Sequence, residues 1–383
     1  MKTKGKPSPI LALTSAALSL PAFAVTQPVE TELSIMTSSY KEGDIPAHKV
    51  LTGSDERYEI DIHQFHVLTP MGRNWGFSFN TSRETMSGAS PQGTVEGLDG
   101  QPALIMSGAT IRESRTEIGA TTHRYFDNGY MGIGMSHSQE NDYEADAVIL
   151  SGEWDFNQKL ATLAVGLSYS SDVIEPTDAL LFGRVEKENK HSGSFTIGWT
   201  QVLNKTSVLQ SGISLTKHDG YLADPYKLRD VRPDERSEWA VSLRYRRYAE
   251  KSNGAWHLDY RYYEDDFGVH SHTLQTAWHQ NLGASFQIVP SVRYYSQREA
   301  DFYLPFDDFT LPLTVNQSSD YRLSTYGAFT FGLKGIVNHN NWAITASFDR
   351  YISAKKYGLS DSEFEHPALV NFTLASIGFD IRF

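Results

Sequence analysis

The chain ends in TLASIGFDIRF, residues 373–383. Thr373, Ala375, Ile377, Phe379, Ile381 and Phe383 fall on one face of an extended backbone, and Leu374, Ser376, Gly378, Asp380 and Arg382 on the other. A period of two belongs to a strand, and an apolar face backed by a charged one puts that strand between two different environments. The same pattern recurs upstream. Trp342, Ile344, Ala346 and Phe348 alternate with Ala343, Thr345, Ser347 and Asp349. Trp239, Val241, Leu243 and Tyr245 oppose Glu238, Ala240, Ser242 and Arg244, and Trp256, Leu258, Tyr260 and Tyr262 oppose His257, Asp259, Arg261 and Tyr263.

The connections carry the second half of the reading. Seven are tight, at residues 70–74, 126–129, 156–159, 203–206, 251–254, 281–284 and 337–341, and most hold Asn, Asp or Gly, as hairpin turns require. Eight others fall at 41–56, 88–114, 140–144, 172–190, 218–236, 264–271, 299–320 and 355–369; six of these are long, and most are acidic, polar or rich in Pro and Gly. The two kinds alternate along the chain. Fifteen connections join sixteen strands. Alternation of short and long connections is expected of an outer-membrane β-barrel, with short turns in the periplasm and long loops outside the cell. Hydrocarbon offers the backbone no hydrogen-bond partners, so strands cross it only in a closed barrel. A secreted β-sandwich or propeller also has many short strands, but neither predicts the alternating loop lengths or an aromatic last residue on an apolar face. The fold class is therefore all-β: a transmembrane antiparallel up-and-down barrel of about sixteen strands.

The N-terminus points to export. Lys2, Lys4 and Lys6 precede an apolar run from Ile10 to Leu20, and Ala22-Phe23-Ala24 is a small-x-small cleavage triplet. Residues 1–24 read as a signal peptide and 25–383 as one barrel, with a short stub at residues 25–31. The chain has no cysteine, which excludes a disulfide framework, thiol catalysis and thiolate metal sites. The 34 Lys and Arg, less three leader lysines, against 46 Asp and Glu leave a formal net of −15. A nucleic-acid partner wants the opposite sign. No mature stretch approaches the ~18 apolar residues of a membrane helix.

Several blocks resemble a known family. They are SGASP at 87–91, GYLADPYK at 220–227, RPDER at 232–236, HLDYRYYEDDFGVHSHTL at 257–274, PSVRYYSQREADFY at 290–303 and SSDYRLSTYGAFTFGLK at 318–334. Together they resemble the uncharacterised bacterial outer-membrane β-barrel family called domain of unknown function 3570, most densely over residues 219–335. The resemblance implies an outer-membrane barrel and no established activity. It also implies a context of small lipoproteins and flavin-transfer proteins, hence a conduit or scaffold for a periplasmic lipoprotein or redox partner. Lipid and the barrel-assembly machinery are the other expected partners, with Phe379, Ile381 and Phe383 matching the terminal signal that machinery reads.

Alternation assigns Glu59, Asp61, Arg124, Glu153, Asp155, Arg244, Asp259, Arg261, Arg293, Asp349, Asp380 and Arg382 to the lumen, since a charge facing lipid near the midplane costs up to a few kcal/mol. They either line an aqueous channel or pair across the interior and fill it; both signs are mixed. The expected activity is a porin-like channel with a partly obstructed lumen. An outer-membrane hydrolase is the weaker alternative: His137, Ser138 and Asp142 supply triad residue types with nothing to place base against nucleophile. His270 and His272 lack a third fixed metal ligand, and Asp307-Asp308 and Glu363 to Glu365 lack EF-hand spacing. No catalytic, cofactor or metal residue is assigned. The connection at 88–114 is expected to fold inward and narrow the barrel, because its five glycines permit tight reversals and Ala103-Leu104-Ile105-Met106 gains little from standing in water; a mobile cap above the rim is the alternative.

Overall fold

The computed structural model describes residues 27–109 and 111–383. The leader and its cleavage triplet lie outside the described residues. Sixteen strands close into one antiparallel barrel in which each pairs with its sequence neighbours and the first with the last. They are β1 (Glu32–Glu42), β2 (Glu59–Met71), β3 (Trp75–Gly88), β4 (Ile111–Phe126), β5 (Gly129–Gln139), β6 (Tyr143–Phe156), β7 (Ala161–Ile174), β8 (Glu188–Asn204), β9 (Ser207–Gly220), β10 (Glu235–Ala249), β11 (Gly254–Asp265), β12 (His270–Leu282), β13 (Phe286–Gln297), β14 (Tyr326–His339), β15 (Trp342–Ala354) and β16 (Phe372–Arg382). All seven tight turns and all eight loops fall where alternation places them. The seam closes by Ile35 opposite Phe379 and Leu33 opposite Ile381, and Thr31 and Phe383 exchange backbone hydrogen bonds of 2.9 and 3.0 Å.

Directly opposed residues of an antiparallel pair share a face, so register carries orientation around the ring. The outward face holds Ile133, Met135, Leu150, Leu167, Ile213, Leu243, Leu333, Phe348 and Ile377, all exposed on the isolated chain, as lipid-facing side chains must be. Six of the seven tryptophans (Trp75, Trp154, Trp199, Trp256, Trp278 and Trp342) face outward near the tight turns. They form the aromatic girdle expected at a membrane interface.

Sixteen strands about 4.8 Å apart, tilted by about 40°, enclose a ring roughly 30 Å across. The turns are two to four residues long and cannot bridge it. Six of the eight loops run from 13 to 28 residues, the longest being 298–325. Two of these loops build a small three-stranded sheet, in which Pro102–Met106 pairs antiparallel with Pro91–Glu96 of its own loop and parallel with Val50–Thr52 of the loop after β1. Asp230–Val231 pairs with Gln317–Ser318 in a second sheet.

Candidate functional site

The loops pack on one another across the mouth. From the connection after β3, the Gln92 carbonyl accepts from Leu228 N–H at 2.7 Å and the Thr94 carbonyl from Asp307 N–H at 2.8 Å. Lys227 Nζ reaches the Pro91 carbonyl at 3.2 Å. Leu228 lies before β10 and Asp307 before β14, far around the ring from β3, so these contacts form over the opening. Leu104 is fully buried, with Ile45, Ala89, Met106 and Ala368 around it. Gly88, at φ +134°, starts the crossing; any Cβ there would strike the Arg57 carbonyl.

Buried ion pairs knit the polar core of this cap. Asp320 is wholly buried and accepts from Arg322 Nε at 2.8 and 2.9 Å and from Arg232 Nη2 at 2.9 Å. Burial alone would raise its carboxyl, but Arg322, Lys227 and Arg232 hold it well below the usual carboxylate range. Arg57 pairs with Glu42 at 2.7 Å, both buried, and lies over the rings of Tyr58 and Tyr321. His366 donates from Nε2 to the Ser319 carbonyl at 2.8 Å, while its Nδ1 accepts from Ala368 N–H at 3.0 Å. Burial, with Lys227 nearby, pushes this imidazole down to about 3.

Below the cap, register places nine of the twelve lumen candidates inward: Glu153, Asp155, Arg244, Asp259, Arg261, Arg293, Asp349, Asp380 and Arg382. The other three require correction. Glu59 and Asp61 stand opposite Lys41 and Ser39 on the outward face, and Arg124 stands opposite Trp75 and Met131. Near the loops the alternation rule inverts, because the interior there is filled by cap: Ile60, Met86 and Ile111 pack with Tyr58 inside, and Glu59 meets Lys41 in the solvent beyond the membrane. Arg124 lies in the interfacial girdle, its guanidinium 5.4 Å from the Trp75 ring centre and 5.5 Å from that of Phe126. A long cationic side chain snorkels at that level without the midplane cost.

Sequence reading saw mixed signs; the ring separates them. Strands β10 to β14 turn Arg236, Arg244, Arg246, Arg261, Arg293 and Lys334 inward against Glu238, Asp259 and Asp265. Strands β3 to β7, across the lumen, present Glu84, Glu113, Glu117, Glu153, Asp155 and Asp172 against Arg115. Arg246, Glu84, Arg115 and Lys334 were missed because alternation was followed only in segments with the cleanest apolar face. A recess of about 210 Å³ opens in the basic wall, lined by His257, Asp259, Gln275, His279, Ser291, Lys334 and Asp349. The His257 and His279 rings lie 3.9 Å apart within it.

The triad residue types do not assemble. His137 faces out and bonds Asp146 at 2.9 Å, Ser138 faces in and accepts from Arg115, and Asp142 accepts from Tyr226 at 2.7 Å. His272 bonds Tyr260 at 2.8 Å, Asp308 caps Thr310, and Glu365 accepts from Lys355 N–H. Neither acidic cluster belongs to a group of three or more converging donors among the described residues. Among the described residues one group of metal-type donors does converge, His137, Glu144 and Asp146.

A closed antiparallel barrel with an apolar belt, an aromatic girdle and a charged interior is the fold of outer-membrane proteins. The chain belongs to the family described as protein of unknown function (DUF3570), whose model matches residues 10–363. Among solved structures it is similar to one described as a bacterial polysaccharide outer membrane secretin, at 13% identity and TM-score 0.53, over 92% of this chain and 98% of that one. CdiB from Acinetobacter baumannii is similar at 9% identity and TM-score 0.53, over 93% of this chain and 60% of that one. CdiB from Escherichia coli follows at 10% and 0.50, over 94% and 64%. At such identities the likeness is one of fold. No curated protein sequence matches the chain.

Proposed function

We propose that this protein is a porin-like channel of the outer membrane, without catalytic turnover, whose lumen is obstructed by the packed loop cap. One observation carries the reading: the interior is divided along its axis. At the loop end, loops from distant parts of the ring bury Leu104, Asp320 and His366 as a protein core does. At the turn end, connections of two to four residues leave the charged walls uncovered among the described residues. Opposed basic and acidic walls act on dipolar or charged solutes within the lumen. The test is planar-bilayer conductance of the purified barrel. The intact protein should conduct poorly and intermittently, and deletion of residues 94–105 should raise conductance severalfold. A correctly assembled deletion protein with unchanged conductance would rule out the cap as the obstruction. The same division favours a second reading, a scaffold that admits a periplasmic lipoprotein or redox partner from the turn end. Co-purification of such a partner with a non-conducting deletion protein would select it.

A further inference from the structure

The outward face of the β5–β6 hairpin carries a group that the channel reading does not use. His137 stands directly opposite Asp146, and Glu144 follows two residues along the same face. His137 Nδ1 lies 2.9 Å from Asp146 Oδ1, and donor atoms of all three side chains lie within 4.8 Å of one another. The pair is one register step beyond Met135 and Val148, exposed apolar residues of the belt. The group therefore sits where hydrocarbon gives way to headgroups. The loop joining the two strands has only three residues, so the donors stand on rigid backbone.

Composition sets this group apart from outward acids such as Glu59 and Glu235: two carboxylates stand beside one imidazole. Outward Glu59 has Lys41 beside it, and outward Glu235 has Lys217 at 2.8 Å. Glu144 and Asp146 share no lysine or arginine among the described ion pairs; the ion pair found there is that of Asp146 with His137. A single imidazolium neutralises half of that charge at most, whereas a dication neutralises all of it. The distances suit one. Donors about 2.1 Å from a shared ion stand about 3.0 Å apart at a right angle and about 3.4 Å apart at the tetrahedral angle, so the observed pair needs only side-chain adjustment. One imidazole and two carboxylates are borderline-to-hard ligands, suited to the manganese-to-zinc series.

The geometry points to a divalent transition-metal site on the lipid-side rim, held by His137 Nδ1 and one carboxylate oxygen each from Glu144 and Asp146, with its remaining positions open to water. The test titrates Zn²⁺ into tag-free protein in detergent against a chromophoric chelator. The intact chain should bind one equivalent that His137→Ala, Glu144→Gln and Asp146→Asn each weaken, by at least the roughly tenfold that losing even an outer-shell partner costs. Glu59→Gln should retain it, because that carboxylate belongs to a separate lysine pair. Heat-modifiable gel migration shows whether each variant is a folded barrel. Folded His137→Ala and Asp146→Asn proteins that bind zinc as tightly as the intact chain would overturn the site, as would no saturable binding in the intact chain. Both outcomes are independent of conductance.

Discussion

His366 is fixed in one protonation state by its two hydrogen bonds. Its Nδ1 is already an acceptor for Ala368 N–H, so a proton there would displace that bond inside a buried site. The folded imidazole titrates at about 3, below the roughly 6.5 of an exposed one. The neutral form is thus the folded form: its contribution is complete above pH 6.5 and declines as pH falls from there toward 3. By pH 4.5 the cap loses about 2–3 kcal/mol. Loop cleavage in limited proteolysis should accelerate over that range in the intact protein. The His366→Asn variant, whose side-chain oxygen can still accept from Ala368 N–H, should begin less protected and lack that acceleration. Asp307 and Asp142, whose carboxyls burial holds above the usual range, titrate in both proteins and cancel in the difference. Parallel pH profiles would remove His366 from the account.

At the scale of elements, β16 is where sequence and structure meet most closely. Phe383 continues the outward face of Phe379 and Ile381 and stays largely exposed, while its backbone completes the seam with Thr31. Truncating or replacing Phe383 should reduce the fraction of heat-modifiable barrel recovered from membranes, with Phe383→Tyr closest to the intact chain; full recovery of Phe383→Ser would contradict an assembly role. The strands were legible because lipid and lumen impose opposite polarity on successive residues, and the connections because turns of two to four residues and long loops differ in composition. The cap was not legible. Its contacts join Thr94 to Asp307 and to His366, residues 213 and 272 apart in sequence, and no local period encodes them. The same cap misled the reading of Glu59 and Asp61, because Ile60 and Ile62 turn toward it rather than toward lipid. Arg124 was misread for a different reason: an arginine stacked on Trp75 at the interface looks, by alternation, like a lumen charge.

For the whole molecule, the proposed channel is a barrel capped at one end and lined by separated charge below. In the background lacking residues 94–105, Arg261→Glu and Arg293→Glu should raise the cation-to-anion permeability ratio severalfold. Arg124→Glu, on the outward face, should leave that ratio unchanged; equal effects from all three would deny the lumen its part in selectivity. The division of the interior can be measured directly, because the chain has no cysteine and any introduced thiol is the only one. Ser291, in the recess of the basic wall, is the site to change. A Ser291→Cys protein should resist a maleimide polymer too large for general porins when it is added outside intact cells. It should react once the periplasmic side is opened, and react from outside when residues 94–105 are also removed. Rapid labelling from outside with the cap intact would contradict the account.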